Sequence, residues 1–426
     1  MLDKIRSNRI LKSIFKNLNQ IVHFNLIRYN KKLQQKFDLS LKDYKTYKDI
    51  DIEIIPRYSS VGQNIFVNIE DKYKYNYIIY FDDKIKNRNY ITSEDEFSKI
   101  LVKIKPDVKS LKGLFYSCSC IQEINFIKYN RNDIFDMSEM FNDCRELIKL
   151  KFTSYNTSEV TDMGGMFRFC DSLEELDLSN FNTSNVVDMS EMFFKCSSLK
   201  RLEISGFDTS KVTSMYSMFS GCSSLEKLNL FNFKTPNLTN MIEIFNGCSS
   251  LEDINISNFD TSQVNNMYNI FNECSSLQKI NLSNFKTSKV TNMSYMFQGC
   301  SSLKEVDISK FKTTKVKQMI SMFENCSSLK ELNLSNFHAN NLDNMNNMFK
   351  GCLSLNTLIL SNFDTKKVNT MQKSFFDCIE LNNLDIPRFY IKRKTDVFHL
   401  FANCNDNLKT KVMKQNKYIK DSHFDL

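Results

Sequence analysis

Thirteen cysteines are the residues of this 426-residue sequence best placed to bind a metal or cross-link the chain, and twelve of them form a comb. They run from Cys118 through Cys144, Cys170, Cys196, Cys222, Cys248, Cys274, Cys300, Cys326, Cys352 and Cys378 to Cys404, every step 26 residues; Cys120 alone is off it. Zinc takes thiolates grouped as C-x-x-C or joined by histidine. No C-x-x-C exists, Cys118 and Cys120 form a lone C-x-C, and His23, His338, His399 and His423 are dispersed. Disulfides between neighbouring comb positions meet a geometric obstacle. Stacked copies put the Cβ atoms at strand separation, roughly 4.8 Å, with parallel vectors, beyond the ~3.5–4.5 Å a bridge requires. The comb therefore predicts small buried thiols, as in a reducing compartment. The chain also lacks G-x-S-x-G, G-x-x-x-x-G-K-[ST], H-E-x-x-H and G-x-G-x-x-G. With no nucleophile elbow, phosphate loop or metal helix, we expect no enzyme and no cofactor.

A constant period positions these residues. Each unit reads C-S-S-L-x-x-L-x-L-S-N-F-x-T-S-x-V-x-x-M-x-x-M-F-x-x, as in residues 196–221, with no insertion between copies. Its L-x-x-L-x-L part alternates at its end like a half-buried strand. S-N-F-x-T-S is turn chemistry around one inward aromatic. V-x-x-M-x-x-M-F spaces apolar residues by three, which predicts one or two turns of tight, partly 3₁₀ helix. One unit cannot bury its apolar side alone, but stacked units share a core. The fold class expected is thus an α/β solenoid of about twelve gapless units. Phe181, Phe207, Phe233, Phe259, Phe285, Phe311, Phe337 and Phe363 would form an aromatic spine at roughly 4.8 Å spacing. Seventeen of 19 methionines fall in two columns on the other side, where they read as core filler.

Charge adds a second division. Residues 1–117 hold 23 Lys+Arg against 14 Asp+Glu, while 118–426 hold 34 against 35. The N-terminal excess is scattered rather than gathered in a stripe, so no nucleic-acid partner is expected. No stretch has the ~18–20 apolar residues of a membrane helix, and the N-terminus lacks a secretory pattern, so the expected location is cytoplasmic.

What remains for function is surface. Between the inward leucines lies an outward column containing Asp177, Glu203, Asn229, Asn255, Asn281, Asp307 and Asn333. It is flanked by Glu174 and Glu175, Lys200 and Arg201, Glu226 and Lys227, Lys304 and Glu305, and Lys330 and Glu331. This face reads either as solubilising charge with amide ladders or as a recognition surface for a protein partner.

The unit L-x-x-L-x-L-S-N-F-D-T-S-K-V-T-x-M-x-x-M-F-x-G-C-S-S-L resembles the BspA-like leucine-rich repeat family, a domain of unknown function in mycoplasmas, gut bacteria and protists. Residues 196–221 and 274–299 carry the resemblance most fully, and it extends over about 92–404. It implies a non-catalytic interaction scaffold. Many members are surface proteins, which implies a cell-surface adhesin as the alternative setting.

Residues 1–40 carry Ile14, Phe15, Leu18 and Leu26 at helical spacing and predict a helical hairpin that caps the stack. The same string resembles an F-box, without its usual Leu-Pro start, and implies an adaptor for a ubiquitin ligase. Residues 41–91 predict a small β cap, 92–404 the solenoid, and 405–426 a polar tail. Deleting one unit, residues 248–273, should leave a folded, shorter chain by circular dichroism and thermal melting. Deleting 13 residues should shift every column and abolish the melting transition.

Overall fold

The computed structural model describes residues 31–37, 48–57, 63–153 and 155–425. A short helix, α1 (Lys31–Phe37), comes first. The strands β1 (Ile50–Pro56), β3 (Tyr77–Phe81), β4 (Lys84–Lys86), β6 (Ile100–Ile104), β7 (Ile121–Tyr129) and β8 (Lys149–Phe152) form one sheet in the order β4-β3-β6-β1-β7-β8. Two further short strands, β2 (Asn64–Ile65) and β5 (Tyr90–Ile91), pair with each other. Ile50, Ile52 and Ile54 face Ile104, Val102 and Ile100 across the β1–β6 pair, and all six are fully buried.

This sheet corrects the expected solenoid start at residue 92. The stretch ILVKI fits a repeat strand by alternation alone, but its partners are antiparallel: β1 on one side and β3 on the other. Parallel rungs begin at Ser110, bridged to Asp136. The cap and the stack also share a strand. β7 belongs to the first repeat, pairs antiparallel with β1 and parallel with β8, and so leaves that sheet edge covered. The buried Arg131 ties the junction, donating to Asp133 Oδ1 (2.8 Å), Lys105 O (3.3 Å) and Pro106 O (2.9 Å).

From β8 onward each unit contributes one short strand: β9 (Glu175–Asp177), β10 (Arg201–Glu203), β11 (Lys227–Leu228), β12 (Asp253–Ile254), β13 (Lys279–Asn281), β14 (Glu305–Asp307), β15 (Glu331–Asn333), β16 (Thr357–Ile359) and β17 (Asn383–Asp385). Where they pair, they do so in parallel and in strict register, Leu176 beside Leu202 and Leu332 beside Leu358. The gapless stack of 26-residue units is therefore present as the period requires.

The short helix expected in each unit is not. Residues such as 137–143 form a run of turns instead. Met140 N bonds back to Met137 O (3.4 Å), whereas Glu139, Phe141 and Asp143 N donate to Gly164, Met166 and Arg168 O one rung on (2.7–2.8 Å). The next rung supplies the partners that a helix would otherwise find within itself. The path needs two left-handed residues per unit, in columns starting at Gly113 and Ser117. Glycine fills six of these positions; Glu139, Phe169, Lys195 and Tyr295 are among the others, with φ of 55–60°.

The tightest aromatic column also differs from the one expected. Phe115 through Phe401, one per rung, stack with centroids 4.8–5.9 Å apart and planes within 18°. The Phe181 column is looser, 6.0–6.3 Å where rings stack. The column methionines are all buried.

At the C-terminus the expected polar tail is a cap. The helix α2 (Asp406–Gln415) starts on Asn405, whose side chain accepts from Leu408 N (2.8 Å). Leu408, Val412 and Ile419 are buried, an i, i+4 pair and a straggler hidden among lysines. Phe424 stacks on Phe401 at 5.0 Å, and Phe401 N donates to His423 O (2.8 Å), so residues 421–425 stand in for another rung. At the opposite end Asn68 plays the same part, donating to Gly113 O and Tyr116 O (3.1 and 2.8 Å).

A buried threonine column links rungs reciprocally: Thr183 Oγ1 donates to Asp208 O (2.9 Å) and accepts from Asp208 N (2.7 Å). Ala339 interrupts it. Ala339→Thr should restore the pair with residue 364 and raise stability by about 1 kcal/mol, read as a higher melting temperature.

Candidate functional site

The strands set out the expected recognition face by simple alternation. Leu176, Leu202 and Leu228 point inward, nearly buried, while the residues on either side point out. Of the expected residues, Glu174, Glu175, Asp177, Lys200, Arg201, Glu203, Glu226, Lys227 and Asn229 line one open trough of about 1410 Å³. Glu123, Ile148, Lys149, Lys151 and Ser172, with the edges of Leu150, Leu176 and Leu202, complete it. Ile148, Lys149 and Lys151 were legible as the same columns in the degenerate copy at 144–169, and Ile148 is half exposed. Asn255, Asn281, Lys304, Glu305, Asp307, Lys330, Glu331 and Asn333 lie further along the same face, outside the trough.

Two structural duties occupy part of this surface. The central acid/amide column does not ladder between rungs; it closes turns within them. Asp177, Asn229, Asn255, Asn281, Asp307 and Asn333 each accept the backbone N–H two residues on, at 2.9–3.1 Å. Glu203 does the same with its longer arm (3.0 Å). The Ser179 N–H and hydroxyl hold the Asp177 carboxyl below the usual carboxylate range, and the Ser309 hydroxyl and N–H do so for Asp307. Cross-rung ion pairs take others: Lys200 with Glu174 (3.0 Å), Lys149 with Glu123 (3.1 Å), and Arg201 with Glu175. These pairs are exposed and contribute little to stability. Glu226 and Lys227 make no ion pair among the described residues and remain available to a partner.

The thiol comb has no such opening. All thirteen cysteines are free, and all but Cys404 are buried. From Cys144 on, each comb thiol donates to the carbonyl of the phenylalanine 29 residues earlier, at 2.9–3.2 Å. Among the described residues no three His, Cys, Asp or Glu side chains gather as a metal site. No described helix is long and apolar enough to cross a membrane.

A strand, a phenylalanine-bearing turn and a run of tight turns, repeated every 26 residues over one leucine and methionine core, define a leucine-rich-repeat solenoid. The family described as "Mycoplasma protein of unknown function, DUF285" matches residues 109–228, 172–255, 218–337 and 325–419, and the chain belongs to that family. It is of the BspA-like type that the repeat resembles. Among solved structures it is similar to a leucine-rich repeat protein from Bacteroides ovatus, 18% identical, covering 77% of this chain and 94% of that one, TM-score 0.31. It is also similar to a leucine rich cell surface protein from Faecalibacterium prausnitzii, 17% identical, covering 66% and 77%, TM-score 0.36. No curated protein matches.

Burial pushes the thiols up: Cys352 and Cys404 to about 12, Cys120 to about 11, and Cys222, Cys248 and Cys274 well above the ordinary value. Below about pH 9 both folded and unfolded chains keep these protons, and stability is unaffected. Above it only the unfolded chain ionises, so stability falls by about 1.4 kcal/mol per thiol per pH unit until the folded thiols titrate too. Melting temperature should drop steeply from about pH 9, and replacing Cys222, Cys248, Cys274 and Cys300 by Ala should make that drop about a third shallower. Reductant should leave the melting temperature unchanged at neutral pH.

Proposed function

We propose that the chain is a non-catalytic protein-binding scaffold whose docking surface is the strand face between residues 123 and 229. The observation that carries this reading is the trough, broad and open, lined by both charge signs and by the exposed Ile148. Such a surface suits a folded protein: a few apolar contacts give affinity, and patterned charge gives orientation and choice of partner. A trough this open does not enclose a small molecule, which favours a concave and mostly apolar pocket. Both the adhesin setting and the intracellular setting use the same face. The adaptor reading adds a second partner on residues 1–40, of which the described part is α1; Ile14, Phe15, Leu18 and Leu26 lie outside the described residues.

A photo-crosslinking amino acid at Asn229 should capture a defined partner in the native setting, and the same label at the exposed Glu273, on the tight-turn edge of the stack, should not. Glu226→Lys with Lys227→Glu should weaken that capture about tenfold with the melting temperature unchanged. Equal capture from both positions, or capture indifferent to the charge swap, would overturn the strand face as the docking surface.

A further inference from the structure

The near neutrality of residues 118–426 hides a segregated charge. The turn edge of the stack follows each strand, and on its last five rungs it comprises residues 284–291, 310–317, 336–343, 362–369 and 388–395. Those windows hold twelve Lys or Arg against Asp343 and Asp364 alone. The corresponding windows of the five preceding rungs, 155–161 to 258–265, hold Lys211 and Lys234 against Glu159, Asp208 and Asp260. One edge of one half of the molecule is therefore a basic ridge, and all twelve of its cations are exposed.

The ridge is poorly neutralised from within. Lys286 pairs with Asp260 (3.3 Å) and Lys366 with Asp364 (3.8 Å). Lys310, Lys312, Lys315, Lys317, Lys392 and Arg393 form no ion pair among the described residues, although Asp307 lies close enough to Lys310 to feel its charge. The rungs are held in register, since Lys289 Nζ donates to Gln263 Oε1 (2.6 Å) and Lys367 Nζ to Asn341 Oδ1 (2.9 Å), each one rung back. Positive charge thus recurs on four of the five rungs over about 20 Å, at about the strand separation, ~5 Å, within each adjacent pair and with the cation-free rung 336–343 between the pairs.

Like charges held at this spacing repel, and a matching anionic chain relieves that repulsion while releasing its own counterions. The side chains around them select the kind of anion. The windows' phenylalanines are buried and the part-buried Tyr390 packs on Tyr418, so the windows themselves present no row of open rings for successive nucleobases to stack on. No large apolar side chain is exposed within these windows, so nothing enters a bilayer. We propose that this ridge binds an acidic polysaccharide, a linear chain of sulfate- or carboxylate-bearing sugars, lying along the rungs.

The test uses the full chain and a fluorescent heparin fragment as the probe. Wild type should bind at low salt and lose at least about tenfold in affinity between about 50 and about 200 mM NaCl. Lys312→Glu, Lys315→Glu, Lys392→Glu and Arg393→Glu together should cost about tenfold or more, while Lys227→Glu with Lys330→Glu on the strand face should change affinity less than about twofold. If the fourfold reversal lowers the melting temperature, the same four sites changed to Gln must reproduce the loss. Absence of binding at low salt, an equal loss in the strand-face variant, or equally tight binding to a DNA duplex or to phosphatidylserine vesicles at matched salt would overturn the proposal.

Discussion

Between rungs, each comb thiol from Cys144 onward reaches the carbonyl of a phenylalanine 29 residues earlier, and each column threonine reaches the backbone 25 residues ahead. These bonds are buried, so a partner lost to a shift in register would be missed at its full desolvation cost. A single inserted residue would misplace the thiol, the threonine and the ring of that rung together. The uninterrupted 26-residue step is the outcome of that constraint. It also explains why the rungs can dispense with helix: once every second backbone N–H along the tight-turn run is answered by the next rung, the chain is free to follow a path that needs two left-handed residues per unit.

A stack built this way has its open hydrogen bonds only at its ends, and the two ends are closed by different means. The N-terminal end borrows a sheet, with β7 serving both the cap and the first rung and Arg131 satisfying carbonyls at the seam. Removing the part-exposed Asp133 would leave the fully buried Arg131 without its carboxylate in the interior. The C-terminal end borrows an imitation of a rung, in which Phe424 continues the ring stack.

The inward columns were legible because they repeat: leucine, methionine, cysteine and phenylalanine each recur at one phase, and they proved to be core, with Cys404 on the last rung only partly buried. The features that eluded the sequence do not repeat. The left-handed positions carry Glu, Phe, Lys, Tyr and Gly in turn, so residue type gives no sign of a conformation imposed by the rungs above and below. ILVKI at 100–104 alternates like any repeat strand, and only its pairing with β1 assigns it to the cap. α2 rests on two residues four apart in a lysine-rich decapeptide, too weak a pattern to set against its polarity. On the strand face the outward residues were placed from alternation, but their Asx turns depend on a serine or phenylalanine N–H two residues on, a local geometry that composition does not disclose. The basic ridge is invisible in the totals because acids elsewhere on the same rungs cancel it.

The ladder of rungs has a mechanical meaning. Because each unit touches only its neighbours, a pull applied at the two termini is carried in series, and the stack yields by shedding one rung at a time from a frayed end. Each 26-residue loop released adds about 85–90 Å of contour length, while the remaining rungs keep their register. Such a chain is an extensible tether: it gives ground in equal increments under load and can re-form each one against the rung still standing.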